Sequence, residues 1–179
     1  MTSVGQGPAQ LEALIDATVP TVADWPEPGV LFRDISPLLA DPAAFDTVVQ
    51  AMAAAGGEVD VVLGVEARGF LFGVAVAQRL GVGFVPVRKA GKLPGVTESV
   101  SYDLEYGSAT IEVPAGAVTA GQRVAIVDDV LATGGTLAAA VKLARRCGAE
   151  VISTVVLIEI AALEGRHAID APCAALRSY

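Results

Sequence analysis

Val124-Ala125-Ile126-Val127-Asp128-Asp129-Val130-Leu131-Ala132-Thr133-Gly134-Gly135-Thr136 decides the reading of this chain. Four apolar residues run into two carboxylates, and a small turn rich in hydroxyls and glycine then opens a helical pattern. That order predicts a buried strand, an acidic strand end and an anion-binding turn. A continuous apolar run suits a central parallel strand covered on both faces, and ligands of open α/β sheets gather outside the carboxyl ends of such strands. Adjacent strand residues point to opposite faces, so Asp128 and Asp129 are expected to take different tasks. A sugar diol and a hydrated divalent cation are the natural recipients. Gly134 and Gly135 let the backbone approach closely, while Thr133, Thr136 and free N–H groups at a helix start can ring one phosphate. No lysine follows the glycines and no GxGxxG occurs, which excludes the triphosphate loop and the dinucleotide fingerprint. On these residues alone, an ordinary strand-to-helix turn with solvated acids is the alternative.

At 179 residues the chain has the length of one domain with a sizeable core. Hydrophobic residues make up 53%, yet no uninterrupted apolar run reaches the roughly 18 residues of a membrane span. A soluble, cytoplasmic protein with much buried sheet and no membrane partner is expected, since Met1 to Gly7 carries neither a basic nor an apolar export signal. Cys147 and Cys173 form no CxxC pair and read as structural thiols. The single histidine, His167, argues against histidine-dependent triads and most zinc sites. A net charge of −8 disfavours nucleic acid as a partner.

Outward from the central motif, the spacing predicts a helix over Pro8 to Thr18 and a second one that begins at Asp41-Pro42 and ends before Gly56-Gly57. Between them, Trp25 to Pro37 is expected to be ordered but irregular, because its prolines and glycine oppose a helix. Its apolar side chains suit a flat slot for a heterocycle or, equally, a hydrophobic lid over the core. Val61 to Val65 predicts a second buried strand, then the turn Glu66-Ala67-Arg68-Gly69 and a helix. Arg68 and the backbone N–H groups there could hold diphosphate oxygens, or Arg68 could serve a structural salt bridge. Gly83 to Val87 reads as a strand that delivers Arg88, Lys89 and Lys92, either a solvated basic loop or a cluster that neutralises a departing anion. Ser99 to Tyr106 alternates and Thr110 to Val113 answers it across a glycine turn, which predicts a projecting hairpin. A helix over Leu137 to Cys147 and a strand over Val151 to Ile158 follow, and Pro172 to Tyr179 carries no signal.

The acidic pair followed by Ala-Thr-Gly-Gly-Thr resembles the phosphoribosyl-diphosphate signature of type I phosphoribosyltransferases. Four further stretches resemble the adenine phosphoribosyltransferases: Pro26-Glu27-Pro28-Gly29-Val30-Leu31-Phe32-Arg33-Asp34-Ile35, Glu66-Ala67-Arg68-Gly69-Phe70-Leu71-Phe72-Gly73, Arg88-Lys89 through Lys92-Leu93-Pro94-Gly95, and Ser101-Tyr102 through Leu104-Glu105-Tyr106-Gly107. The likeness runs from Trp25 to about Ile160; Trp25 itself departs from the Phe or Tyr more usual at that position.

The resemblance implies an α/β fold, a mostly parallel twisted sheet flanked by helices, with residues 1–179 as one domain. It also implies an N-terminal hood from about residue 20 to 37 and a flexible catalytic hairpin from about 90 to 112. The implied activity joins adenine to phosphoribosyl diphosphate, giving AMP and diphosphate. Asp128, Asp129, Ala132, Thr133, Gly134, Gly135 and Thr136 would hold the phosphate and ribose. Glu66, Ala67, Arg68, Arg88, Lys89 and Lys92 would hold the diphosphate, with a non-proline cis peptide expected at Glu66–Ala67. Leu31, Phe32, Arg33, Tyr106 and Ile160 would line the adenine pocket. Glu105 would handle the proton at the purine, although residue chemistry alone favours a solvated strand acid there. Arg68, Lys89 and Lys92 would join it in catalysis. Mg2+ is implied as cofactor, held mainly by diphosphate and ribose oxygens and through water by Asp128 and Asp129. A homodimer is the family expectation. Another purine as substrate, or a regulatory protein that keeps the sugar-phosphate site without turnover, stays open at this level.

Overall fold

Helix α1 covers Pro8–Thr18, the range its apolar spacing predicts. The computed structural model describes residues 7–103 and 107–179, and these fall into two compact units, one ending at Val49 and the other running from Gln50 to Tyr179. In the first unit, strand β1 (Thr21–Ala23) pairs antiparallel with β2 (Leu31–Arg33), and α2 (Ser36–Ala40) follows. The segment expected to be irregular therefore holds one short strand and the start of one helix. Pro37 is compatible with α2 because it sits in the first turn, where a missing N–H costs nothing. Trp25–Pro26 is cis. Helix α3 (Pro42–Gly56) leads from this unit into the next.

The second unit is built on one seven-stranded sheet. Its strands are β3 (Val61–Val65), β4 (Gly83–Lys89), β5 (Thr97–Asp103), β6 (Ser108–Pro114), β7 (Arg123–Leu131), β8 (Glu150–Glu159) and β9 (Cys173–Ser178), in the order β5-β6-β4-β3-β7-β8-β9. The β4-β3-β7-β8-β9 stretch is parallel throughout, while β6 runs antiparallel to both β4 and β5. Strand β6 meets β4 at only two register positions, Arg88↔Glu112 and Lys89↔Ile111, whereas it pairs with β5 over seven. The expected hairpin is thus an edge ribbon of the sheet that is bonded mainly to itself.

Helices α4 (Gly69–Leu80) and α5 (Gly135–Arg146) flank the sheet. Val61, Leu63, Val65, Val124 and Ile126 point into one core cluster with Leu137, Ala140, Val141 and Ala144 of α5. Residues of the opposite parity face α4, as the period of two requires. There Gly64 and Gly73 allow close packing: a Cβ on Gly73 would lie 3.2 Å from Gly64 Cα and 2.8 Å from the Phe84 ring. Fully burying side chains such as Leu63, Ile126, Phe72 and Leu157 contributes about 1.5–3 kcal/mol each, which fixes the strand ends on which the polar turns are carried. No helix among the described residues is long and apolar enough to cross a membrane.

Candidate functional site

Because β3, β4 and β7 are parallel neighbours, their carboxyl ends open on one edge of the sheet. A cavity of about 350 Å³ lies there. Its walls include Glu66, Ala67 and Arg68 from the turn after β3, Lys89 at the end of β4, Tyr102 of β5, and Asp128 to Leu137 of β7, the glycine turn and the start of α5. The Glu66–Ala67 peptide is cis, as expected.

The two aspartates lie within β7 rather than after its end, because Val130 and Leu131 continue the apolar pattern and pair with Ile158 and Glu159 of β8. Both acids are buried. Asp129 Oδ2 meets Arg68 Nε at 2.9 Å, so the ion pair considered for Arg68 is present and ties the turn after β3 to the acid pair. Asp128 Oδ1 accepts the Asp129 N–H at 2.8 Å. Burial, then the neighbouring Asp129 charge, push the Asp128 carboxyl well above the usual carboxylate range. Such a group gains from a hydroxyl or a cation entering the cavity. The start of α4 is pressed against it: a Cβ on Gly69 would lie 2.8 Å from Asp128 Oδ1.

The basic residues meet an acid. Glu66 accepts from Arg88 Nη2 at 3.1 Å, Lys92 Nζ at 2.7 Å and the Lys89 N–H at 3.0 Å. Glu112 of β6, buried, accepts from the Gly91 and Leu93 N–H groups and from Thr97 Oγ1, which fixes the turn that carries Lys92. Lys89 lines the cavity, whereas Arg88 and Lys92 turn to Glu66. Burial tends to raise the Glu66 carboxyl, but hydrogen bonds from Arg88, Lys92 and the Lys89 N–H outweigh it and hold the group at about 2 instead of 4.5. A depressed carboxylate stabilises the fold above its unfolded value and loses that contribution as pH falls toward the folded one. Glu66→Gln is therefore expected to lower Tm by roughly 3–6 °C at pH 7. That difference should shrink between pH 4.5 and about 2, as thermal melts across pH would show. A pH-independent difference would contradict the assignment.

The turn between β7 and α5 is shaped by Gly134, whose φ of +83° favours glycine, and Gly134 O accepts the Ala138 N–H as α5 begins. Two features here escaped the sequence reading. The Tyr102 hydroxyl lies 3.2 Å from Thr136 Oγ1. Gly165, in a 3-10 turn spanning Gly165–Ala168, has its backbone against the glycine turn: a Cβ there would lie 2.0 Å from Ala132 O and 2.8 Å from Gly134 N. An isolated glycine is a signal for close backbone approach, but the partner it approaches is set only by tertiary structure.

The residues expected at a base are distributed between the units. Leu31, Phe32 and Arg33 form β2 of the first unit, with Leu31 64% exposed and Phe32 edge-on to Trp25 at 4.4 Å between ring centroids. Ile160 follows β8 in the second unit and donates its N–H to Leu131 O. Glu105 and Tyr106 lie outside the described residues. Among the described residues no group of three or more His, Cys, Asp or Glu side chains is placed to hold a metal ion.

A family model described as the phosphoribosyl transferase domain matches residues 43–178. The adenine phosphoribosyltransferase of Streptomyces coelicolor is 56% identical over 165 residues, 91% of each chain. That of Saccharopolyspora erythraea is 61% identical over 146 residues, 82% of this chain and 80% of its own. Among solved structures, the adenine phosphoribosyltransferase of Thermoanaerobacter pseudethanolicus superposes with a TM-score of 0.90 at 45% identity, covering 94% of this chain and 99% of that one. The Saccharomyces cerevisiae enzyme, solved with an imino-altritol bisphosphate and adenine, gives 0.89 at 38% identity over 94% and 99%.

Proposed function

This chain belongs to the adenine phosphoribosyltransferases, and from that premise we propose that it transfers the phosphoribosyl group of phosphoribosyl diphosphate to adenine, a purine-salvage reaction yielding AMP and diphosphate. The observation that carries this reading is the cavity itself, where a glycine turn, an acid pair and the Glu66-Ala67-Arg68 turn share one sheet edge. Ala132 to Thr136 hold the 5′-phosphate on N–H and hydroxyl donors at the start of α5. Asp128 and Asp129 accept from the ribose hydroxyls. Ala67, Arg68, Arg88, Lys89 and Lys92 hold the diphosphate, with Glu66 holding Arg88 and Lys92 in place.

The bond from the anomeric carbon to diphosphate oxygen breaks through an oxocarbenium-like transition state, and the carbon–nitrogen bond forms on the opposite face. The electron pair leaves with the diphosphate, whose growing charge the cations stabilise. Glu105 takes the proton that the purine nitrogen loses, and on the family resemblance Tyr106 and Ile160 hold the base. Each task is orientation or electrostatics and needs no protein nucleophile. The buried acid pair fits Mg2+: two adjacent carboxylates offer the hard oxygen donors such an ion takes, and an ion of this kind completes its shell from substrate oxygens and water. When bound, the ion would neutralise diphosphate charge, with Asp128 and Asp129 holding it through water. Because phosphorylated sugars do not cross membranes unaided, a cytoplasmic setting goes with this reading. The family supports a homodimer, which light scattering checks.

Incubation of the purified protein with phosphoribosyl diphosphate, magnesium and each purine in turn tests the proposal. AMP from adenine is expected. Conversion of another base instead overturns the specificity, and no turnover with any base points to a regulatory protein.

A further inference from the structure

Tyr102 lies where the edge ribbon meets the phosphate turn. Its ring packs against the core cluster with Val100, and its hydroxyl reaches the cavity wall 3.2 Å from Thr136 Oγ1. The fold fixes this meeting at two points, since Arg146 at the far end of α5 donates to Ser99 O at 3.2 Å and lies 3.8 Å from Glu98. Strand β5 is thus held along the helix that the phosphate turn opens.

Of the two hydroxyls, the phenol is the more acidic and the better donor. With the Tyr102 O–H donated to Thr136 Oγ1, the threonine hydrogen is left to point into the turn, and a chain of two such bonds strengthens each member. Were Tyr102 absent, the threonine hydroxyl would be free to turn toward another acceptor. The same strand ends at Asp103, two residues before Glu105, so one hydroxyl pair ties the anion turn to the segment that carries the proposed proton acceptor.

Resting on the phosphoribosyl-transfer reading above, we propose that Tyr102 is a positioning residue: it aims the Thr136 hydroxyl at the 5′-phosphate and couples phosphate occupancy to the ribbon leading to Glu105.

Calorimetric titration with ribose 5-phosphate and, separately, with diphosphate tests this in wild type, Tyr102→Phe, Thr136→Ala and the double variant. Tyr102→Phe is expected to weaken ribose 5-phosphate about fivefold, the scale of one hydrogen bond between neutral groups, and to leave diphosphate binding within about twofold. In the Thr136→Ala background the same change should add nothing, because the hydroxyl to be aimed is gone. Undiminished ribose 5-phosphate binding by Tyr102→Phe, equal losses for both ligands, or additive losses in the double variant would overturn the assignment. Wild type that fails to bind ribose 5-phosphate would instead overturn the reading on which it rests, and the positioning role with it.

Discussion

Gly165→Ala is expected to lower kcat/KM for phosphoribosyl diphosphate by about 100-fold or more, with the loss mainly in KM. The added methyl would lie 2.0 Å from Ala132 O, 2.8 Å from Gly134 N and 2.9 Å from Thr133 C, distances that backbone atoms cannot share. Neither side yields readily. Gly134 is held at φ +83° with its own Cβ position 2.1 Å from Gly165 O. The neighbouring Arg166 grips the buried Glu159 with two hydrogen bonds, of 2.9 and 2.5 Å, and donates to Cys173 O. The glycine turn must therefore shift by on the order of 1 Å, which in a site working by orientation costs about 100-fold. Gly83→Ala is the control, because its methyl would meet only Val61 Cγ2 at an ordinary 3.7 Å. Steady-state kinetics on the two variants decide the matter. A Gly165→Ala enzyme within about fivefold of wild type would show that the turn does not need this backing.

Glu105→Ala is expected to lower kcat by about 100- to 1,000-fold, the scale of a lost general base, while KM for phosphoribosyl diphosphate changes less than about threefold. The ground for this is the likeness of Leu104-Glu105-Tyr106-Gly107 to the adenine family, together with the ribbon's position: β5 and β6 close on each other at Asp103↔Ser108, and Tyr102 lines the cavity. Pre-steady-state measurement of AMP formation would separate the chemical step from product release. Equal losses in kcat and donor affinity would argue that Glu105 binds rather than accepts a proton.

How far sequence carries such an account depends on where the information resides. Strands β3, β7 and β8 were legible as continuous apolar runs, helices α1 and α3 from apolar residues at helical spacing, and the glycine turn because its anion chemistry is local. Strand β9 was not, since Cys173-Ala174-Ala175-Leu176-Arg177-Ser178 has no β-branched residue and no clear alternation; pairing with β8 alone makes it a strand. Asp128 and Asp129 were placed at a strand end because acids seldom sit inside one, and the neighbouring strand's register extends β7 past them. Glu112 gave one weak signal, a carboxylate between Ile111 and Val113. Its role in fixing the basic turn needed the contact across 19 to 21 residues of sequence. Gly165 and Tyr102 gave less, for both act on a turn some 30 residues away.

The most direct measurement is a crystal structure with ribose 5-phosphate bound. The phosphate should occupy the turn of Thr133 to Thr136, within hydrogen-bonding reach of its N–H groups and of the Thr136 hydroxyl, with the ribose hydroxyls directed at Asp128 and Asp129. A sugar phosphate bound elsewhere while that turn stays empty would contradict the account.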